Sequence, residues 1–229
     1  MIFGDAVITR RDLLRLAGVA GATAIAPSAD ARVDALPTQA KAGVVERAVA
    51  TSRREPLQAL TASEADLLDA VVARLIPSDA NGPGATEAHA VRYIDRALAG
   101  ALVSSRESYR VGLAALDRYA RSSRAAAFTE LTPTDQDSLL IDVETGAATG
   151  SGAGFQGSSA QFFAMVRAHT LQGTFGDPYY GGNADFAGWD LLGYPGVRTY
   201  VGPDEQQLDA KLTPNHQSAY DNGMFTKGD

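Results

Sequence analysis

The sequence has no cysteine. That absence excludes disulfides, a thiolate nucleophile, cysteine-ligated zinc or iron–sulfur clusters, thioether-attached haem and a lipid-modified cysteine anchor in one step. Histidine is nearly as scarce. His89, His169 and His216 lie far apart, and no two share a turn of helix as His-x-x-x-His would, so the spacing of a helical metal site is missing. No G-x-S-x-G elbow offers a hydrolase nucleophile. Positive charge is in the minority, with Lys+Arg 20 against Asp+Glu 27 and a net charge of −7, the wrong sign for affinity built on phosphate neutralisation, which excludes nucleic acid as a partner. Alternating period-2 runs longer than a few residues are lacking. What is present is an ordinary globular composition, 45% hydrophobic and 21% charged over 229 residues, enough chain for one or two folded domains.

The N-terminus reads as an address. Thr9-Arg10-Arg11-Asp12-Leu13-Leu14-Arg15 precedes Leu16 to Ala26, an alanine-rich apolar run diluted by Gly18 and Gly21, which is the pattern of a twin-arginine export signal with Arg10 and Arg11 as its paired element. The run is well short of the roughly 20 residues a membrane-spanning helix needs. Ala29-Asp30-Ala31 supplies a small-x-small cleavage site, whereas Ala24-Ile25-Ala26 is followed at once by Pro27; cleavage is expected after Ala31, with delivery to the periplasm. Removing residues 1–31 takes away Arg10, Arg11 and Arg15 together with Asp5, Asp12 and Asp30, so the remainder keeps the charge of −7. This export route carries proteins already folded, which matters when a cofactor must be inserted first.

The rest of the chain reads as mainly α. Residues 32–59 form a linker, with one short helix around Val44 to Ala50. A compact helical domain of about five amphipathic helices occupies 60–202 and includes an irregular aromatic, glycine-rich loop over 175–200; an extended arm follows over 203–229. Thr61-Ala62-Ser63-Glu64 is a capping box, followed by Leu68, Val71, Val72 and Leu75 on one face until Pro77 stops the helix. Val91, Ile94, Leu98 and Leu102 mark a second helix; Tyr109, Leu113, Leu116 and Ala120 mark a third. Thr132-Pro133 caps a fourth with Leu139, Leu140 and Val143 inward. A fifth begins about Ser159, turns Phe162, Phe163, Val166 and Thr170 inward, and stops at Gly173. Phe175 to Tyr200 then packs seven aromatics among glycines without a helical period. In the arm, Leu208, Leu212, Tyr220, Met224 and Phe225 are too many apolar groups for an idle tail.

No constellation for catalysis emerges. Gly152-Ala153-Gly154-Phe155-Gln156-Gly157 matches G-x-G-x-x-G, but a helix rather than a buried strand precedes it, so it reads as a loop and not as a dinucleotide site. Asp66 with Asp69, and Asp135 with Asp142, fall on polar faces or helix starts, where acids favour the macrodipole. His169 reads as a hydrogen-bonded boundary residue, and His89 as first-turn beside Glu87. No catalytic, cofactor-binding or metal-binding residue is assigned to this chain.

Asp177-Pro178-Tyr179-Tyr180-Gly181-Gly182-Asn183, then Trp189, then Gly193-Tyr194-Pro195-Gly196 stand out. Together with the helix through Leu68 to Ile76-Pro77, the Gly82-Pro83-Gly84 turn, Tyr93-Ile94-Asp95 and Phe162-Phe163, they make residues 60–197 resemble the gluconate 2-dehydrogenase subunit 3 family. The resemblance implies a non-catalytic small subunit of an exported FAD-dependent sugar or sugar-acid dehydrogenase. In that family the large subunit carries FAD and the chemistry, a cytochrome c subunit often takes the electrons, and the small subunit supplies the signal and supports its partner. The implied partners are thus the FAD-containing large subunit, a haem c subunit and the twin-arginine translocase. Tyr179, Tyr180, Asn183, Trp189 and Tyr194 are expected at the partner interface, since Tyr and Trp suit surfaces that are apolar on one side and hydrogen-bonded on the other. The competing reading of the same loop is a lid over the chain's own core. The competing function is a self-sufficient periplasmic sugar-binding module or enzyme with the 175–196 loop as its pocket.

Overall fold

Thr61 begins the first helix because its side chain and that of Glu64 satisfy each other's backbone. In the computed structural model, which describes residues 56–149, 154–155 and 157–224, the Thr61 N–H donates to Glu64 Oε2 at 2.8 Å and the Glu64 N–H returns to Thr61 Oγ1 at 3.3 Å. The leader with Arg10 and Arg11, the Val44–Ala50 helix and most of the 32–59 linker lie outside the described residues, as do Phe225 and the end of the arm. Helix α1 spans Ala62–Leu75, α2 Ala90–Ala99, α3 Arg106–Arg124, α4 Pro133–Glu144, α5 Ser159–Phe175 and α6 Ala187–Leu192, with short 3-10 turns between α2 and α3, between α3 and α4, between α5 and α6 and in the arm; no strand occurs among the described residues. The expected five helices are therefore present, and a sixth, short one lies in the loop read as lacking helical period.

The apolar stripes meet in one core. Leu68, Val71 and Val72 of α1 pack with Ile94 and Leu98 of α2, Tyr109, Leu113 and Leu116 of α3, Leu139 and Val143 of α4, and Phe163 and Val166 of α5. Each such large side chain contributes about 1.5–3 kcal/mol by leaving water. α2 and α5 run along each other over the longest contact. Thr132 accepts the Asp135 N–H with Pro133 in the first turn, as its sequence requires. The bidentate pair of Arg74 with Asp137, 2.9 Å at both contacts, ties the end of α1 to α4.

Two boundaries differ from expectation. Leu102 lies beyond α2, which ends at Ala99 with Gly100 as its cap; the chain folds back so that the Leu102 N–H donates to Ala97 O at 2.7 Å, leaving the leucine half-buried against the core. Gly173 does not stop α5, which continues through Thr174 and Phe175. Its missing side chain serves a tertiary contact instead, since a Cβ there would press on the backbone of Ala90 and the Tyr93 ring.

Order also begins before Thr61. Asp95 on α2 is buried, and its carboxylate accepts the consecutive N–H groups of Gln58, Ala59 and Leu60 at 2.8, 2.9 and 2.9 Å. A buried charge is tolerated when hydrogen bonds replace its hydration. Asp95 thereby fixes where the preceding chain enters the domain.

Candidate partner-binding surface

The last turn of α5 is the platform for the aromatic loop. Gly182 and Gly188 lie so close to it that a Cβ at either would land on the carbonyl oxygen of Gly173 or Thr174. Between them Asn183, fully buried and in the left-handed region at φ 45°, donates from its backbone to Gly173 O at 2.7 Å and from Nδ2 to Gly176 O at 2.9 Å. Its Oδ1 accepts the Gly188 N–H at 2.8 Å. Asn tolerates that conformation better than most residues, and its amide serves as donor and acceptor at once. The loop is thus stitched onto α5 at both ends of a tight reversal.

Trp189 follows from this stitching. Carried by α6, it is 5% exposed, donates its indole N–H to Phe175 O at 3.0 Å, and packs against Phe186 and Tyr194 with ring centroids 5.4 and 4.9 Å away. Of the five residues expected at a partner interface, Asn183 and Trp189 are buried within their own chain. The physical reason is that both polar handles find partners within the loop. Tyr179, Tyr180 and Tyr194 remain exposed.

The arm closes over the same loop. Asp177 accepts the Tyr179 N–H at 2.9 Å, Ser218 Oγ–H at 2.6 Å and the Ala219 N–H at 2.8 Å. Tyr220 stacks on Tyr179 at 3.8 Å and shares a hydrogen bond with the Tyr180 hydroxyl at 2.7 Å. The Tyr180 hydroxyl contact holds the Tyr220 phenol above its ordinary range. His216 meets Asp190 at 2.7 Å and stacks on Phe186. The arm therefore runs back onto the loop. Sequence reasoning quoted Asp177 only as part of a turn and missed it as the arm's anchor, because its partners lie about forty residues on.

Exposed apolar groups concentrate here. Of thirteen exposed large hydrophobic side chains among the described residues, nine fall between Tyr179 and Met224, in the loop and arm that follow α5. An open groove of about 610 Å³ lies between the end of α5, α6 and the turn after it, lined by Phe175, Trp189, Leu192, Tyr194 and Val197, with Asp177 as its carboxylate. Of the polar side chains in that lining, Asp177 and the Trp189 indole are already engaged; the Tyr194 phenol is the remaining one. A sugar asks for many directional partners, and this groove suits apolar matter instead.

The other candidates resolve structurally. His169 is buried on α5, and the Tyr109 hydroxyl lies 3.0 Å from its Nδ1 with the rings stacked; burial lowers the His169 pKa and pushes the Tyr109 phenol well above the usual range. His89 precedes α2 at φ 57°, while Glu87 accepts the Gly84 N–H. Asp142 accepts the Tyr119 hydroxyl and Asp135 that of Thr132. Of the 152–157 glycine segment only Gly154, Phe155 and Gly157 are described; Phe155 packs on Phe162 and Arg118 donates to Gly154 O, with no strand before it among the described residues. Among the described residues no three His, Asp or Glu side chains gather as a metal site would need, and no helix is long and apolar enough to cross a membrane.

Comparison with known proteins gives one match. The family model described as Gluconate 2-dehydrogenase subunit 3 matches residues 62–196. No curated protein and no solved structure matches.

Proposed function

Because the chain belongs to the gluconate 2-dehydrogenase subunit 3 family, matched from α1 to the turn after α6, we propose that it is the non-catalytic small subunit of a periplasmic FAD-dependent sugar or sugar-acid dehydrogenase. FAD and the oxidation belong to the large subunit in this reading. The chain's own tasks are two. Arg10 and Arg11 direct export of the folded pair, and the helical domain stabilises the flavoprotein by binding it, an effect that follows mass action.

The observation that carries this reading is the uneven distribution of apolar surface. Up to the end of α5 four large hydrophobic side chains stand exposed among the described residues, yet the shorter stretch after it exposes nine, Tyr179, Tyr180, Leu192, Tyr194, Tyr200 and Val201 among them. Aromatic-rich apolar surface with a polar surround is what protein interfaces use. The test is purification of the tagged chain from its native host. A stoichiometric flavoprotein with bound flavin should accompany it, and the chain alone should carry no chromophore. Saturable sugar binding by the isolated chain, or turnover without a second polypeptide, would replace this reading with that of a self-sufficient module.

A further inference from the structure

The stretch that carries the aromatic loop and the arm is acidic as well as apolar. From Phe175 to Met224 there are seven carboxylates, Asp177, Asp185, Asp190, Asp204, Glu205, Asp209 and Asp221, against Arg198 and Lys211, which leaves −5 of the chain's total of −7 in this stretch. Arg198 is already spent, on Glu205 at 2.6 Å and Thr213 O at 2.8 Å. The groove has one carboxylate and no Lys, Arg or His in its lining. Asp177 takes its three hydrogen bonds from neutral donors, which leave its charge uncompensated.

We infer that this groove receives an apolar side chain of the flavoprotein subunit, presented on a segment with Lys or Arg beside it. The inference rests on the subunit reading above. A volume of about 610 Å³ accommodates an aromatic or branched aliphatic side chain with its neighbouring backbone. Leu192, 52% exposed on the groove's rim, and the half-exposed Tyr194 supply the apolar contact. Asp177 in the lining and the net charge of −5 on the stretch that builds the groove set the sign of the partner, since like charges brought together across an interface are penalised and opposite charges are drawn in over about a Debye length. The groove thus reads two properties at once: bulk through its apolar lining and charge through Asp177.

The experiment pairs Leu192→Arg with Leu192→Glu in the full chain, co-expressed with the flavoprotein that accompanies the wild-type chain. Both variants remove the same apolar contact and differ only in sign. Leu192→Arg should bind the flavoprotein at least about tenfold more weakly than Leu192→Glu at low salt, with the difference shrinking as salt rises. Position 192 is exposed, so thermal melts of both isolated variants should match the wild type and exclude misfolding. As an independent readout, p-benzoylphenylalanine at position 192 should cross-link to a flavoprotein peptide that carries an apolar side chain next to Lys or Arg. Equal losses, the opposite order, a cross-link to a neutral or acidic peptide or to a second copy of this chain would each overturn the inference while leaving the subunit reading intact. Absence of any flavoprotein complex with the wild-type chain would instead defeat the subunit reading itself, and this inference with it.

Discussion

Replacing Trp189 by alanine separates a lid from an exposed anchor. The side chain is 95% removed from solvent within its own chain, since its exposure is 5%. A tryptophan buries about 150–250 Å², which at roughly 25 cal/mol per Å² corresponds to about 4–6 kcal/mol, overlapping the range of about 3–5 kcal/mol measured for large aromatics truncated in cores. Truncation also leaves Phe175 O without its 3.0 Å donor, at a further cost of about 1 kcal/mol where water cannot reach it. We therefore expect Trp189→Ala to destabilise the isolated chain by about 3–5 kcal/mol. Trp189→Phe, which keeps most of the ring bulk and loses the N–H, should cost clearly less. Because Trp189 is the sole tryptophan, urea unfolding must be followed by far-ultraviolet circular dichroism rather than fluorescence. An Ala variant within about 1 kcal/mol of the wild type would mean that the ring is not part of the interior, and the partner-anchor reading would return.

Asp95→Ala removes the acceptor of three backbone N–H groups and should cost about 3 kcal/mol or more, with accelerated hydrogen exchange at Gln58, Ala59 and Leu60 as its local signature; unchanged exchange there would contradict the clasp. Burial lowers the His169 pKa, so the unfolded chain binds a proton that the folded chain resists: stability is complete above the ordinary histidine value of about 6.5 and falls as pH drops through it, by at most about 1.4 kcal/mol per pH unit. His169→Gln should flatten that slope in urea titrations between neutral and mildly acid pH, and an undiminished slope would assign it to other groups. Gly188→Ala should be strongly destabilising, because its Cβ would land on Thr174 O, whereas Gly202→Ala has room and an extended backbone at φ −71° and ψ 164°, and should be near neutral by thermal melt. Replacing both Arg10 and Arg11 with Lys should retain this chain and its flavoprotein in the cytoplasm; normal periplasmic levels of both would refute the export role.

Much of the bundle was legible in the sequence because its signals are local. A capping box needs four residues, and Thr61 to Glu64 supplied them; helical period needs one stripe, and Tyr109, Leu113, Leu116 and Ala120 all proved buried in α3. The family motifs were equally readable, since they lie in short runs such as Asp177 to Asn183, and the matched span of 62–196 contains them. What the sequence could not determine is where a residue with two uses spends itself. Gly173 has the chemistry of a helix stop, yet its missing side chain admits the backbone of Ala90 and lets its carbonyl accept from Asn183, and only the packing of α2 and the loop against α5 selects that use. Trp189 suits an interface or an interior equally well by composition. The tertiary structure assigned it to the interior because the reversal at Asn183 carries its indole to Phe175 O, a bond between positions fourteen residues apart that no local pattern specifies. The same holds for Asp177 and Ser218, separated by forty-one residues: the sequence determined that both prefer turns, and only the folded chain brought the two turns together.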